Sequence, residues 1–325
     1  MGDMVSTRLA YGNALCEYGA NERIVALDAD LSSCTMSEIF AKKYPGRFFN
    51  VGIAEANMID MAAGLATLGK IAFCHSFAMF TSGRGYDQIR NSVAYPHLNV
   101  KVIGSHAGLT VGEDGATHQC IEDLSLMRTI PGMVVLAPCD ANETREAVKS
   151  IIDYEGPCYM RTGRTSVEIV TDSIEGYSFH LGKGSLLVDG KDATIIATGI
   201  MVQESLKAAA ILEKEGIHAR VIDMHTIKPL DTEIILKAAL ETGAIVTVEE
   251  HNIVGGLGSA VAETVSGSLP VPVLRVGVED IFGRSGKAEE LLVKYGLCKE
   301  NIVEKARKAI SFKEFSACKK RVFSL

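Results

Sequence analysis

Short apolar runs of strand length alternate along this chain with longer stretches of helical periodicity, and that rhythm limits the fold more than any other feature. Strands separated by helices cannot pair as hairpins. They are joined by crossovers into a parallel sheet with helices packed on its faces. In the first half, the pattern predicts helix from Val5 to Tyr18, then strands Ile24 to Leu27 and Phe48 to Val51. A helix from Glu55 to Leu68, strand Ile71 to Cys74, helix Gly83 to Ala94 and strand Val100 to Gly104 follow. Strand Met133 to Leu136, a helix with Asp140 as its N-cap ending near Asp153, and strand Cys158 to Arg161 complete the unit.

The periodicity weakens between Arg164 and Lys183, and a second α/β unit then begins. It is expected to contain strand Thr194 to Thr198, helix Met201 to Glu215, strand Arg220 to Met224 and helix Asp231 to Glu241. Strand Ala244 to Val248, a helix from Ser259, and strand Val273 to Val278 with helical segments after it complete the pattern. A length of 325 residues is long for one core. The expected division is therefore a domain over 1–165, a linker over 166–183 and a smaller domain over 184–325.

Composition narrows the functional classes. A net charge of −7, with no basic stripe interleaved with aromatics, gives no footprint for nucleic acid. The longest apolar runs are strand-sized, so no membrane span is expected. The segment MGDMVSTRLAYGNAL has neither a charged leader nor an apolar signal core, which suggests a cytoplasmic protein. Eight cysteines occur without a Cys-x-x-Cys pair, so most are expected to be reduced core residues.

Chemistry concentrates in two segments. In RFFNVGIAEANMIDMAAGLATLG, Glu55 stands where a short strand passes through Gly52 into a helix. A carboxylate there either caps the helix or serves a ligand at the strand end. The second segment, HAGLTVGEDGATHQC, packs His106, Asp114 and His118 around several glycines, which allow close approach of backbone to a ligand. Ligands on parallel sheets gather at the carboxyl ends of strands. Asp28, Asp30, Glu55, Phe77, Phe80 and His106 all fall at or just after predicted strands. Each has a plainer alternative: Phe77 and Phe80 as core, Asp30 as a turn residue, Arg8 as a helix-surface cation.

Together VGIAEANM, SFAMF and SHAGLTVGEDGATHQ resemble the C-terminal half of transketolase, in the form where that enzyme is split between two polypeptides. The resemblance implies a pyrimidine-binding domain of the thiamine diphosphate type followed by a transketolase C-terminal-like domain. Glu55 then matches the glutamate that hydrogen-bonds the coenzyme's aminopyrimidine, a task suited to a buried acid with a raised pKa. Phe80, with Phe77 beside it, matches the aromatic stacked on that ring, and Asp30 an acid near the coenzyme. His106, Asp114 and His118 match residues that hold sugar hydroxyls, with His106 and His118 assisting proton transfer. Arg8 and Arg161 match the residues that bind the substrate's terminal phosphate. The serine expected beside that phosphate is Cys34 here, with Ser32 and Ser33 adjacent.

No Gly-Asp-Gly tripeptide occurs in the sequence. The resemblance assigns that motif to the site holding the diphosphate and its Mg2+ (or Ca2+), so a second polypeptide, the N-terminal subunit, is expected to supply it. The implied assembly is a heterotetramer acting on sugar phosphates in pentose phosphate metabolism, with this chain inactive alone. Three other readings stay open. A 2-oxoacid dehydrogenase β subunit shares the glutamate and a YDQ-like string, and deoxyxylulose-phosphate synthase shares THQ. A non-catalytic scaffold is the third. In the second domain VEEHNIVGGLG, with Glu249, Glu250 and His251, reads as structure more readily than as a site.

Overall fold

The computed structural model describes residues 4–174 and 176–322. Its strands in chain order are β1 (Met4–Ser6), β2 (Ile24–Asp28), β3 (Phe48–Asn50), β4 (Ile71–Phe77), β5 (Val100–Ser105), β6 (Val134–Leu136) and β7 (Cys158–Arg161). Then come β8 (Ser166–Glu168), β9 (Ser185–Val188), β10 (Ala193–Ala197), β11 (Ala219–Asp223), β12 (Thr226–Lys228), β13 (Ile245–Asn252) and β14 (Val273–Val278).

Seven of these form one sheet in the order β12-β6-β7-β5-β4-β2-β3, parallel except for β12. Every residue of β2, β4 and β5 is buried, as expected for strands covered on both faces. Even His75 lies inside β4, its ring nitrogens satisfied by the Tyr11 hydroxyl at 2.6 Å and the Leu27 carbonyl at 2.7 Å. From β2 the chain goes to β3 on one side, then returns to β4 on the other. The order of connection therefore reverses between β2 and β4, opening a crevice at the carboxyl ends of those strands. The second sheet, β14-β13-β10-β11-β9, is parallel except for β9.

The observed elements depart from the predicted ones for identifiable reasons. The first helix is Thr7–Tyr18, because Met4–Ser6 pairs with β8 and Ser6 caps the helix by accepting from the Leu9 amide. The stretch read as a linker thus contributes a strand. The helix expected from Gly83 starts at Ala78, directly after β4, and helical turns continue to Ala94. Strand β9 was not foreseen. Nor was β12, which lies in the second half of the chain yet pairs with β6 of the first sheet. Asp140 caps the helix Ala141–Asp153 as expected, accepting from the Glu143 amide.

Cys16, Cys34, Cys74, Cys120, Cys139, Cys158 and Cys298 are free thiols, and four of them (Cys74, Cys120, Cys139, Cys158) are buried. The side chain of Cys318 lies outside the described residues. Among the described residues no helix is long and apolar enough to cross a membrane.

Candidate active site

At the β2/β4 switch point the structure assembles a continuous row of candidate side chains. Glu55 opens the helix Glu55–Thr67 and is 3% exposed. Its Oε1 accepts from the Ser76 hydroxyl at 3.3 Å, and Arg84 reaches both carboxylate oxygens at 3.2 and 3.3 Å. The Arg84 side chain is itself 55% exposed, and its guanidinium lies 4.3 Å above the Phe80 ring. Phe80 and Phe77 are stacked with centroids 5.8 Å apart. Phe77, the last residue of β4, stacks on His106 at 4.0 Å. His118 meets Phe80 edge-on at 5.3 Å and Phe77 at 6.1 Å.

His106 follows β5 with a φ of 57°, a left-handed conformation uncommon for a residue with a Cβ. Its Nε2 lies 3.4 Å from Arg8 Nη1, and its Nδ1 lies 2.9 Å from Ser105 Oγ. A guanidinium only donates, so Nε2 is the acceptor and Nδ1–H donates to Ser105. Burial first, then the charges of Arg8, Arg164 and His118, push the imidazole down to about 3. The ring therefore stays neutral across the physiological range. Arg8 also donates to the Cys34 carbonyl at 2.8 Å, which brings the Cys34 segment to the same place.

That segment is held by Asp28, an interior anchor that accepts from the Leu31 amide at 2.6 Å and from the Thr35 and Ser37 hydroxyls at 2.7 and 2.8 Å. Asp30, two residues on, is exposed with a φ of 66° and accepts from the Asn50 side chain at 2.9 Å. Asp114 is also exposed, 3.4 Å from Arg164 Nη1.

The expectation for Arg161 needs correction. Its guanidinium is buried, with Nε 3.1 Å from Asp123 Oδ2 and Nη1 and Nη2 donating to the carbonyls of Glu250 and Cys120. It is the last residue of a strand covered on both faces, and its Nη1 and Nη2 are hydrogen-bonded inside the protein. Arg164, just beyond Gly163, is 40% exposed and its charge bears on both Arg8 and His106. The cation facing the cleft is therefore three residues later. A guanidinium three residues past a strand's end faces solvent more readily than one inside it, and that signal was present in RTGR.

The second domain reaches into this site. Glu250 of β13 accepts from the Thr110 amide at 2.7 Å and so grips the loop between His106 and His118. Gly108 has a φ of +80°, and a Cβ there would meet the Glu250 carboxyl carbon at 2.2 Å. Gln119 closes the other end, donating to the carbonyls of Leu109, Gly112 and Arg284 at 3.0–3.2 Å. Burial raises Glu250 to about 7, opposed by Arg161 and the Thr110 amide.

A buried carboxyl beside a stacked aromatic pair, with two cations and two histidines along one row, fits a planar amino-substituted heterocycle and an anionic sugar. The chain matches the transketolase pyrimidine-binding domain over residues 3–169 and the transketolase C-terminal domain over 182–302. These are the domains of a thiamine-dependent class of transferase subunits. A putative transketolase C-terminal section from Methanocaldococcus jannaschii is 54% identical over 300 residues, 92% of this chain and 94% of that protein. A 6-deoxy-6-sulfo-D-fructose transketolase subunit from Clostridium sp. is 48% identical, covering 95% of each chain. A solved structure described as the inactive β4 tetramer of a split-gene transketolase superposes with a TM-score of 0.88 at 51% identity, over 95% of this chain and 99% of that one. The chain belongs to the transketolase family, grouped with its separately encoded C-terminal subunits. Human transketolase is 40% identical over 96% of this chain but only 50% of its own length.

Proposed function

We propose that this chain is the pyrimidine-side subunit of a two-polypeptide transketolase that moves a two-carbon ketol unit from a ketose phosphate to an aldose phosphate. The observation that carries the reading is the unbroken row from Glu55 through Arg84, Phe80, Phe77, His118 and His106 to Arg8. Bound thiamine diphosphate supplies the electron sink for breaking the carbon–carbon bond. Glu55 holds the pyrimidine ring from its buried position, and Phe77 and Phe80 offer it an aromatic face. His106 and His118 donate to and accept from sugar hydroxyls, with His106 locked in one tautomer. Asp114 holds a hydroxyl, and Asp30 stands near the coenzyme.

Arg8 and Arg164 take the substrate's terminal anion; Arg164 replaces Arg161 in that role. Their mutual repulsion, which lowers the pKa of Arg8 after burial has done so, is relieved by a phosphate between them. Cys34 lies beside that end. Relatives named for a sulfo-sugar and for apulose 4-phosphate support an anion-tipped sugar as the substrate class.

The missing Gly-Asp-Gly motif and the half-length match to human transketolase support a partner N-terminal subunit that holds the diphosphate with Mg2+ (or Ca2+). A heterotetramer of two such pairs is the simplest assembly. The test is reconstitution with a Gly-Asp-Gly-bearing partner, thiamine diphosphate and magnesium, followed by assay of xylulose 5-phosphate with ribose 5-phosphate. Two-carbon transfer is expected from the pair and not from this chain alone. Glu55→Gln is expected to abolish turnover with the assembly intact. Decarboxylation of pyruvate or a branched oxoacid in place of transfer would replace this reading with a dehydrogenase.

A further inference from the structure

Away from the cleft, three buried side chains with no part in the reaction above converge at the seam between the two sheets. Cys139 Sγ and one carboxylate oxygen each from Glu143 and Asp223 all lie within 4.8 Å of one another. Cys139 and Glu143 flank the helix cap Asp140 beyond β6, whereas Asp223 ends β11 of the second sheet. The seam is closed by Gly199 and Ala137 joined through their backbones and by Gln203 donating to the Cys139 carbonyl at 2.8 Å. All three side chains are fully inaccessible to solvent.

What they lack is compensation. Both carboxylate oxygens of Asp223 are buried with no donor from outside the cluster, only the neighbouring Cys139 thiol and Glu143 carboxyl being near them. Glu143 has only neutral donors, the Cys139 amide at 2.6 Å and the Tyr177 hydroxyl, and each leaves its oxygen a free lone pair. Asp140 adds a fourth acid, but its oxygens are used by the amides of Glu143, Val170 and Thr171. Burial raises the Asp223 carboxyl first, then the charge of Glu143 and a hydrogen bond shared with it, and the charge of Asp140 adds to this; only the neighbouring Cys139 thiol opposes it. Buried carboxylates packed against other acids are costly inside a protein unless a proton neutralises them or a cation joins them.

We propose that Cys139, Glu143 and Asp223 bind a divalent transition-metal ion of the zinc class, which pins the end of β6 to the end of β11. A thiolate with two carboxylates favours such an ion over magnesium or calcium, which prefer oxygen alone. A carboxylate binding through both oxygens completes four bonds, the number usual for a structural zinc. The Cys139 amide and the Tyr177 hydroxyl then orient Glu143 from outside the ligand shell. Tyr177 sits on a segment whose neighbours Gly176 and Ser178 are exposed, so the cluster lies beneath the surface of that segment.

The experiment strips the full chain with chelator, reloads it with zinc or cobalt, and measures bound metal by mass spectrometry beside the cobalt absorption spectrum. One ion per chain is expected, with a near-ultraviolet thiolate-to-cobalt band that disappears in Cys139→Ser. Zinc should raise the unfolding midpoint by several degrees in the parent chain and leave Asp223→Asn unchanged. Cys139→Ser preserves shape and provides the control if Asp223→Asn does not fold. Metal content no higher than in Cys139→Ser, or a cobalt spectrum without the thiolate band, overturns the proposal. A midpoint raised by Asp223→Asn with no metal present does the same, and identifies two carboxyls sharing a proton.

Discussion

Two arginines three positions apart illustrate how little a residue's type says about its role. Arg161 and Arg164 carry the same guanidinium, yet one is sealed against Asp123 and the other faces the cleft beside Asp114. Arg161→Ala is therefore expected to strand the buried Asp123 carboxylate and to destabilise the fold by about 3–5 kcal/mol, seen in denaturant melts. Arg164→Ala, by contrast, should leave stability within about 0.5 kcal/mol. In the reconstituted enzyme it should raise KM for phosphorylated sugars well above its effect on unphosphorylated ones. Equal stability losses from the two variants would refute the assignment. His106 obeys a related logic: burial and neighbouring cations keep it neutral, so it serves as a fixed hydrogen-bonding group rather than a pH switch.

At the scale of elements, the segment from His106 to Gln119 depends on an acid from the other domain. Glu250 is raised from the ordinary carboxylate value of 4.5 to about 7, chiefly by burial. Between those pH values the folded chain keeps a proton that the unfolded chain has released. The stability contributed by this group is complete below about pH 4.5, declines as pH rises, and is gone above about pH 7. Glu250→Gln retains an acceptor for the Thr110 amide and removes the titration. The difference in unfolding free energy between parent and variant should change by on the order of 3 kcal/mol from pH 4.5 to pH 8. The same parent–variant difference in unfolding free energy at both pH values, measured in urea melts, would show that Glu250 does not titrate in this window. Helix positions were readable beforehand where local chemistry sets them, as at Asp140, whose side chain caps its helix. The start of the first helix was misplaced because Met4–Ser6 answers to a distant strand.

Across the whole molecule, the two halves are stitched rather than merely adjacent. Strand β12 crosses from the second half to pair with β6, Lys228 donates to the carbonyls of Arg128 and Ile130, and Glu250 grips the loop of the first domain. Calorimetry should therefore show one cooperative transition with calorimetric and van't Hoff enthalpies in agreement. Two separated peaks would mean that the seam contributes little. The amino-acid sequence by itself determined the alternation of strand and helix, the parallel first sheet, and the residue types gathered at its carboxyl edge. Periodicity and capping are properties of neighbours along the chain, so they can be read without a structure. Only the tertiary structure decided which arginine faces the cleft, that Arg84 pairs with Glu55, that β12 joins the first sheet, and that an acid of the second domain holds the loop of the first. Those outcomes depend on burial and on partners tens to more than a hundred residues away, which no local pattern encodes.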